Sequence, residues 1–193
     1  APSLTCPAGT AATPVIIDRV GELGSAAYYR AAICAKAYVA LRPLVAAACR
    51  GADGKVDGPF AVWSDAGTRV AGACRADVTQ GPWSMEGPRS RRVEHGQYLD
   101  GRRAGAWTIE AQEAWRVTWS GSFVEGKRDG EWITEQRDPT GRVVRTTTEP
   151  YQADRLHGTV RSEGDAGVQS ASYVEGQPHG VWTDGHDGER STT

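Results

Sequence analysis

The sequence predicts a mainly β protein: a single-layer antiparallel meander of about six hairpin repeats, preceded by an α-helical, disulfide-stapled N-terminal cap. Three observations support this prediction. A ten-residue pattern recurs along the chain, glycine is abundant (24 of 193 residues) while phenylalanine is scarce (2), and all 4 cysteines precede residue 75. This composition fits a thin sheet with aromatic contacts better than a thick leucine-rich core.

The recurring pattern is clearest in the stretches YLDGRRAGAW, FVEGKRDGEW and YVEGQPHGVW, which begin at Tyr98, Phe123 and Tyr173. Each stretch has an aromatic residue, a first glycine, a second glycine and then tryptophan. The second glycine recurs every 22 to 28 residues, at positions 58, 81, 105, 130, 158 and 180. That period is too short for two helices and their connections, and the side chains within each unit alternate as in two short strands. We therefore expect a β-repeat array over residues 53–185.

Each unit is predicted to fold as a hairpin that stacks on its neighbours. The segments GRRAG and GKRDG are expected to form one kind of turn, and PTGR and GDAG the other. A lone hairpin is only marginally stable, whereas stacked hairpins bury their aromatic side chains against one another. The long connection EQRDPTGRVVRTTTEPYQ predicts a bulge or lengthened strands.

Residues 1–52 lack the repeat and are predicted to form a helical cap on the first unit. We expect CPAGTAATP to be a loop, an alanine-rich helix to run from the N-cap Ser25 to about Leu41, and PLVAAACR to form a short helical piece. A repeat array needs such a cap because its end unit exposes an apolar face. Residues 186–193 are predicted to be a flexible C-terminal tail.

The cysteines predict two disulfide bonds and an oxidising compartment. Four buried thiols and a zinc site are the alternatives, although the spacing lacks the close pair that structural zinc sites use. We favour the pairs Cys6–Cys49 and Cys34–Cys74, among three possible pairings, because Cys74 occupies the position of the aromatic residue in later units. The first residues, APSLTC, resemble an N-terminus left by cleavage of a signal peptide, or an N-terminus chosen by protein engineering. We expect an exported protein that is periplasmic, extracellular or held at the cell surface.

Sequence patterns for catalysis are missing, which predicts a protein that is not an enzyme and has no cofactor or metal site. The net charge of −2 predicts no nucleic-acid partner. No apolar run reaches the roughly 20 residues of a membrane span. His157 and His179 each precede the second glycine of a unit, where Asp57, Gln80, Ala104 and Asp129 stand in other units. We interpret this slot as an exposed turn position.

Trp107, Trp115 and Trp119 are the candidate binding residues, and Trp115 and Trp119 share strand parity. They form either an exposed patch for a partner chain or glycan, or internal packing between hairpins. Arg102 and Arg103, together with the basic run Pro88–Arg92, are candidates for an acidic or phosphate-bearing partner. A solvated strand or turn is the alternative for these arginines.

The repeat resembles MORN repeats, and is closer to the bacterial MORN-variant family whose members are labelled antitoxin-like. The resemblance rests on the units at Tyr98, Phe123 and Tyr173, and is weaker at Tyr151, where Asp154 and Val160 replace glycine and tryptophan. It implies an extended, non-enzymatic sheet used for protein or lipid contact. We expect an exported bacterial scaffold that binds another protein, or itself, through its sheet face or edge. The alternative is an antitoxin-like immunity protein that neutralises a specific toxin.

Overall fold

A computed structural model of the chain describes residues 4–17, 34, 44–63, 67–87, 92–112, 114–183 and 190–192. Contacts divide the chain into two units, Ala1–Arg102 and Arg103–Thr193, so that the boundary falls at the first residue of one strand. Both units are antiparallel meanders, which confirms the predicted mainly β fold. The described ranges contain no helix that is long and apolar enough to cross a membrane.

The first unit consists of consecutive strands that pair in the order β1, β2, β3, β4, β6, β7, with β5 as a short extension paired with β4. Their bounds are β1 (Thr10–Ile17), β2 (Leu44–Gly51), β3 (Val56–Trp63), β4 (Arg69–Arg75), β5 (Val78–Thr79), β6 (Gly81–Glu86) and β7 (Val93–Leu99).

The second unit continues the same pattern, with β8, β9, β10, β11, β13, β14, β16 and β17 paired in that order. Their bounds are β8 (Arg102–Gln112), β9 (Arg116–Val124), β10 (Lys127–Arg137), β11 (Val143–Gln152), β12 (Arg155–Leu156), β13 (Gly158–Gly164), β14 (Gly167–Val174), β15 (Gln177–Pro178), β16 (Val181–Thr183) and β17 (Arg190–Thr192). The strands β10 and β11 are long, and a register irregularity lies at Gln136 and Arg137, as predicted for this connection. Residues 190–192, which the prediction assigned to a flexible tail, pair with β16.

Within the described residues of the first 52, the structure contains strands and not the predicted helical cap. Leu44–Gly51, predicted to be a short helix, is strand β2, and Thr10–Ile17, predicted to begin in a loop, is strand β1. In β2, which lies between β1 and β3, the adjacent residues Ala48 and Cys49 are both fully buried, so burial does not alternate along this run of small side chains. The predicted helix from Ser25 to Leu41 lies outside the described residues, apart from Cys34.

Both predicted disulfide pairs are present, Cys6–Cys49 and Cys34–Cys74. Cys34 and Cys74 are 2% and 3% exposed, so the bond between them lies inside the protein. Cys74 pairs directly with Gly58, in the register that the aromatic residues of later units adopt. The bond therefore joins Cys34 to the position at which later repeats place an aromatic ring.

The hairpin turns begin one residue before the segments that were predicted to form them. Two consecutive residues have positive φ at Asp100–Gly101, Glu125–Gly126 and Glu175–Gly176, and Ala76–Asp77 and Ala153–Asp154 do the same. Two adjacent positive φ angles define a type I′ turn, which matches the twist of antiparallel strands. In the repeats at Tyr98, Phe123 and Tyr173, the acidic residue and the first glycine thus form the turn, whereas an alanine and an aspartate form it at Ala76–Asp77 and Ala153–Asp154. The residues of GRRAG and GKRDG that follow the first glycine begin the next strand. The second kind of turn, at PTGR and GDAG, lies where it was predicted.

The second glycine of the repeat lies within a strand at Gly58, Gly105 and Gly130, begins a strand at Gly81 and Gly158, and lies between β15 and β16 at Gly180. At Gly130, for example, φ is +78° and the pairing register between β10 and β9 shifts. This glycine then pairs with the residue at the aromatic position of the following unit, a register that occurs five times: Gly58–Cys74, Gly81–Tyr98, Gly105–Phe123, Gly130–Tyr151 and Gly158–Tyr173. The glycine therefore marks a β-bulge and sets the register between neighbouring hairpin repeats.

The aromatic side chains form the core of each unit on one sheet face, which we call the packed face. In the first unit, Phe60, Trp83 and Tyr98 meet edge to face with centroids 6.1 and 5.5 Å apart. In the second unit, Phe123 lies between Trp107 and Trp132 at 5.8 and 5.0 Å. Edge-to-face contacts of this kind stabilise a pair beyond the burial of its area.

Glycines without a turn role make room for these rings. A Cβ atom on Gly121 would overlap the indole of Trp132, and one on Gly72 would lie against the rings of Phe60 and Trp83. Gly121 pairs with Trp107 on β8, while Trp132 packs over it from β10. Alternation of ring and glycine on neighbouring strands thus allows large side chains to lie flat on a single sheet.

Candidate interaction surface

Trp107 and Arg103, two of the candidate binding residues, belong to the internal packing of the second unit. Trp107 is 1% exposed. The guanidinium of Arg103 lies 4.5 Å from the centroid of the Trp107 ring and 5.2 Å from that of Phe123, a cation–π arrangement. Arg102, the next candidate, is exposed at the start of β8. Residues 88–91 of the predicted basic run lie outside the described part of the chain.

Trp115 and Trp119 lie nearer the surface than Trp107. Trp115 precedes β9 and is 49% exposed. Trp119 lies within β9, is half-buried, and pairs with Ile109 on β8 and with Thr134 on β10. Since residues directly opposite in an antiparallel pair point to the same face, Trp119 lies on the packed face with Ile109 and Thr134. Trp115 and Trp119 therefore remain candidates for an interaction surface, whereas Trp107 is buried and does not.

On the packed face of the second unit, the side chains beyond Trp119 are half-buried and polar, whereas those nearer β8 are buried. Direct pairing connects five half-buried residues on five neighbouring strands, which we call the open row: Trp119, Thr134, Thr147, Ser162 and Gln169. Neighbouring strands lie about 4.8 Å apart, so the row spans about 19 Å. It presents one indole followed by three hydroxyls and one amide, all uncharged.

A charged and aromatic cluster flanks the open row. The guanidinium of Arg128 lies 3.8 Å from the centroid of the Tyr151 ring, and its Nε lies 3.5 Å from Oδ1 of Asp154. The Tyr151 hydroxyl donates to a carboxylate oxygen of Glu149 at 3.3 Å. Partial burial, followed by the charge of Glu149, raises the pKa of the Tyr151 phenol above its ordinary value. Tyr151 is therefore a hydrogen-bond donor at neutral pH.

The long turn between β10 and β11 is fixed by Asp138. Its Oδ1 accepts from the backbone N–H groups of Thr140 and Arg142 and from the Thr140 hydroxyl, while Arg142 Nε donates to Oδ2. The guanidinium of Arg142 also binds both carboxylate oxygens of Asp165 at 3.2 and 2.9 Å. The hydrogen bond from the Thr140 hydroxyl, with smaller contributions from Arg142 and the Thr140 amide, lowers the pKa of Asp138.

This carboxylate predicts a local acid sensitivity. A carboxyl group whose pKa is lower in the folded state stabilises that state above its unfolded value, near 3.8, and loses the contribution as the pH falls through the lower folded value. We expect Asp138→Asn to lower the midpoint of thermal unfolding at pH 6, and expect the difference from the wild type to shrink towards pH 2.5. Thermal scans across that range measure it. A difference that stays constant down to pH 2.5 would contradict this role of Asp138.

In three repeats, the residue before the second glycine is not merely at an exposed turn position, because its side chain accepts a hydrogen bond. The side chain of Gln80 accepts from the backbone N–H of Asp100 at 2.8 Å, that of Asp129 from Ala153 at 3.2 Å, and Nδ1 of His157 from Glu175 at 3.5 Å. In each case, the donor is the first residue of the type I′ turn in the next unit. We call this interaction the turn latch. Apart from Ala104, the side chains in this slot are polar, but the partners of Gln80, Asp129 and His157 lie 18 to 24 residues away in the sequence.

Groups that would suggest chemistry are few in the described part of the chain. No cluster of three histidine, cysteine or carboxylate side chains that could hold a metal ion occurs there. An open hollow of about 500 Å³ lies beside Thr10 and Arg50, and the Arg50 guanidinium donates to the carbonyl of Gly54 at 2.9 Å. Comparison with protein-family models and with curated protein sequences finds no match for this chain.

Proposed function

We propose that this protein is an exported, non-catalytic bacterial scaffold of the MORN-like type that binds another protein through the packed face of its second unit. The observation that carries the proposal is the open row, in which the packed face remains half-exposed although the side chains nearer β8 are buried. Trp107, Phe123 and Trp132 are 1%, 7% and 5% exposed. Trp119, in contrast, is half-buried, and its four companions in the row are polar.

The chemistry of the open row suits a protein partner. An indole supplies apolar contact area at low conformational cost, and tryptophan is enriched among residues that dominate binding energy. The Thr147 hydroxyl donates to that of Ser162 at 3.1 Å, and the hydroxyl oxygens of the row can still accept from the backbone N–H groups of an approaching chain. Polar uncharged side chains around an aromatic anchor are typical of the border of a protein interface.

Export is supported by the two disulfide bonds, since such bonds persist in oxidising compartments. The periplasm and the outer cell surface are both compatible with them. The MORN-like assignment is supported by the recurring type I′ turns and by the second glycine, which pairs with an aromatic residue of the next repeat at four of five places, Cys74 being the exception.

Affinity capture with the oxidised protein as bait tests the proposal. We expect the wild type to retain a partner from cell envelope or culture fluid, and Trp119→Ala to weaken the purified complex at least about tenfold, as for an interface hot spot. The matched control is Thr146→Val against Thr147→Val. These residues are adjacent on β11, but Thr147 lies in the open row and Thr146 on the opposite face.

Only the Thr147 variant should affect binding, and both should fold. Equal loss in the two variants, or full affinity in Trp119→Ala, would contradict the proposed surface. A single toxin bound one to one through the same row would identify the protein as an immunity protein, and a second copy of the chain would identify a self-associating scaffold.

A further inference from the structure

Two residues of opposite charge flank the open row on β11. Arg145 lies two residues before Thr147 and Glu149 lies two residues after it, so the three side chains share the packed face. Residues of a strand advance by about 3.4 Å each, which places Arg145 and Glu149 about 14 Å apart. They are therefore too far apart to form an ion pair within one copy of the chain, and they lie on opposite sides of the row.

Neither charge is paired with another described side chain. Other arginines of the second unit do form ion pairs with carboxylates, and that of Arg137 with Glu135 is 2.8 Å long. No ion pair joins Arg145 or Glu149 to a residue in the described part of the chain. Arg145 is exposed, and Glu149, which is half-buried, accepts a hydrogen bond from the Tyr151 hydroxyl at 3.3 Å. Both charges therefore remain available to a partner.

The rest of the surface beside the row is uncharged. Among the residues two positions before or after each member of the row, only Arg145 and Glu149 carry a charge. The others are Gly121, Trp132, Val160 and Ala171 on the side of Glu149, and Val117, Gln136, Gly164 and Gly167 on the side of Arg145. A partner that complements this surface needs a carboxylate on one side, a cation on the other and uncharged groups between them.

We propose that the protein bound by the open row is a second copy of this chain, an inference that rests on the proposed function of the row. A two-fold axis along the row reverses the strand direction in the facing copy. It therefore places Arg145 of each copy opposite Glu149 of the other, which makes two identical ion pairs in an isologous interface. Packed sheets lie about 10 Å apart, a gap that an arginine and a glutamate side chain bridge together.

The members of the row are compatible with their own counterparts across this axis. Trp119 meets a second indole, and aromatic pairs of this kind are favourable. Gln169 meets a second amide, which both donates and accepts hydrogen bonds. Because the row is uncharged, the axis brings no like charges together within it.

Sedimentation velocity of the oxidised protein tests the proposal. The wild type should sediment as a monomer at low concentration and as a dimer at high concentration. Arg145→Glu brings carboxylates face to face across the axis, and Glu149→Arg brings guanidinium groups face to face. Each variant alone should dimerise at least about tenfold more weakly than the wild type. An equimolar mixture of the two should dimerise as strongly as the wild type, because each variant supplies the charge that the other lacks.

Thr148→Glu is the matched control, since it adds a carboxylate to the opposite face of the same strand, where position 148 pairs with Arg161. This variant should dimerise like the wild type, and every variant should keep the far-ultraviolet circular dichroism spectrum of the wild type. A mixture of Arg145→Glu and Glu149→Arg that stays monomeric where the wild type dimerises would overturn the proposal. So would a wild type that stays monomeric up to about 1 mM.

The same measurements separate this inference from the proposed function. A monomeric wild type that still captures a different protein through Trp119 would refute the second copy and retain the open row as a binding surface. A wild type that neither dimerises nor captures a protein would contradict both.

Discussion

Replacing both Cys34 and Cys74 by serine should lower the free energy of unfolding by about 2–4 kcal/mol. The bond joins residues 40 positions apart, so its loss frees a long loop in the unfolded chain. It also leaves two buried hydroxyls at positions that were 2% and 3% exposed. Urea unfolding of the wild type and of the double variant measures the difference.

The pair Cys6–Cys49 is the matched control, since its separation of 43 residues closes a loop of similar length. The loop-entropy contribution should then be alike in the two double-serine variants. We expect the greater loss for Cys34 and Cys74, because Cys74 stands where other units place a packed aromatic ring. A loss below about 0.5 kcal/mol for this pair, or free thiols in the native protein, would contradict the assignment.

Gly121→Ala should destabilise the protein by about 1–3 kcal/mol, as is usual when an atom is forced into a packed site. The new methyl group would overlap the Trp132 indole, which must move and lose its contacts with Phe123 and the bond from its Nε1–H to the Ser122 carbonyl. Alanine restricts the unfolded chain more than glycine, which opposes this effect by about 0.4–1 kcal/mol. The overlap should outweigh it.

A double-mutant cycle with Trp132→Leu tests the cause of this loss. If the indole is the obstacle, Gly121→Ala should be nearly neutral once leucine replaces Trp132. Ser120→Ala, next along β9 and facing the opposite side of the sheet, should change stability by less than about 0.5 kcal/mol. An equal cost of Gly121→Ala in both backgrounds would show that the ring does not set the cost.

The spacing of the repeats was sufficient to predict the hairpin meander, because aromatic residues and glycines recur with the period of two short strands. It also led to the correct cysteine pairs, since Cys74 stands at the aromatic position. The position of the turn was predicted wrongly because both glycines of the pattern tolerate positive φ. Only the structure shows that Asp100 or Glu125 shares the turn with the first glycine, leaving the second for a bulge.

The error at Leu44–Gly51 has a different physical origin. Its alanines favour a helix as an isolated segment. Pairing with β1 and β3 overrides that preference, and the small side chains fit a strand whose adjacent residues are both buried. The role of Gly121 was also missed, because the ring that it accommodates belongs to a residue eleven positions later.

The open row was only partly predictable. Parity indicated that Trp119 has a defined face, but the polar companions come from four other strands, and their alignment depends on bulges that shift the register. Trp107 was grouped with Trp119 although the chain buries it. The turn latches could not be predicted from the sequence for the same reason, since each depends on the register between two neighbouring hairpin repeats.

The most direct test of the proposed function is site-specific photo-crosslinking from two adjacent positions on β14. Gln169 lies in the open row, whereas Ser170 faces the opposite side, where its hydroxyl meets that of Thr183. A crosslinking residue at position 169 should capture a discrete protein from envelope or culture fluid, and one at position 170 should not. The position-169 product should disappear when Trp119 is also replaced by alanine. Equal capture from both positions, or a position-169 product that survives Trp119→Ala, would contradict binding through the open row.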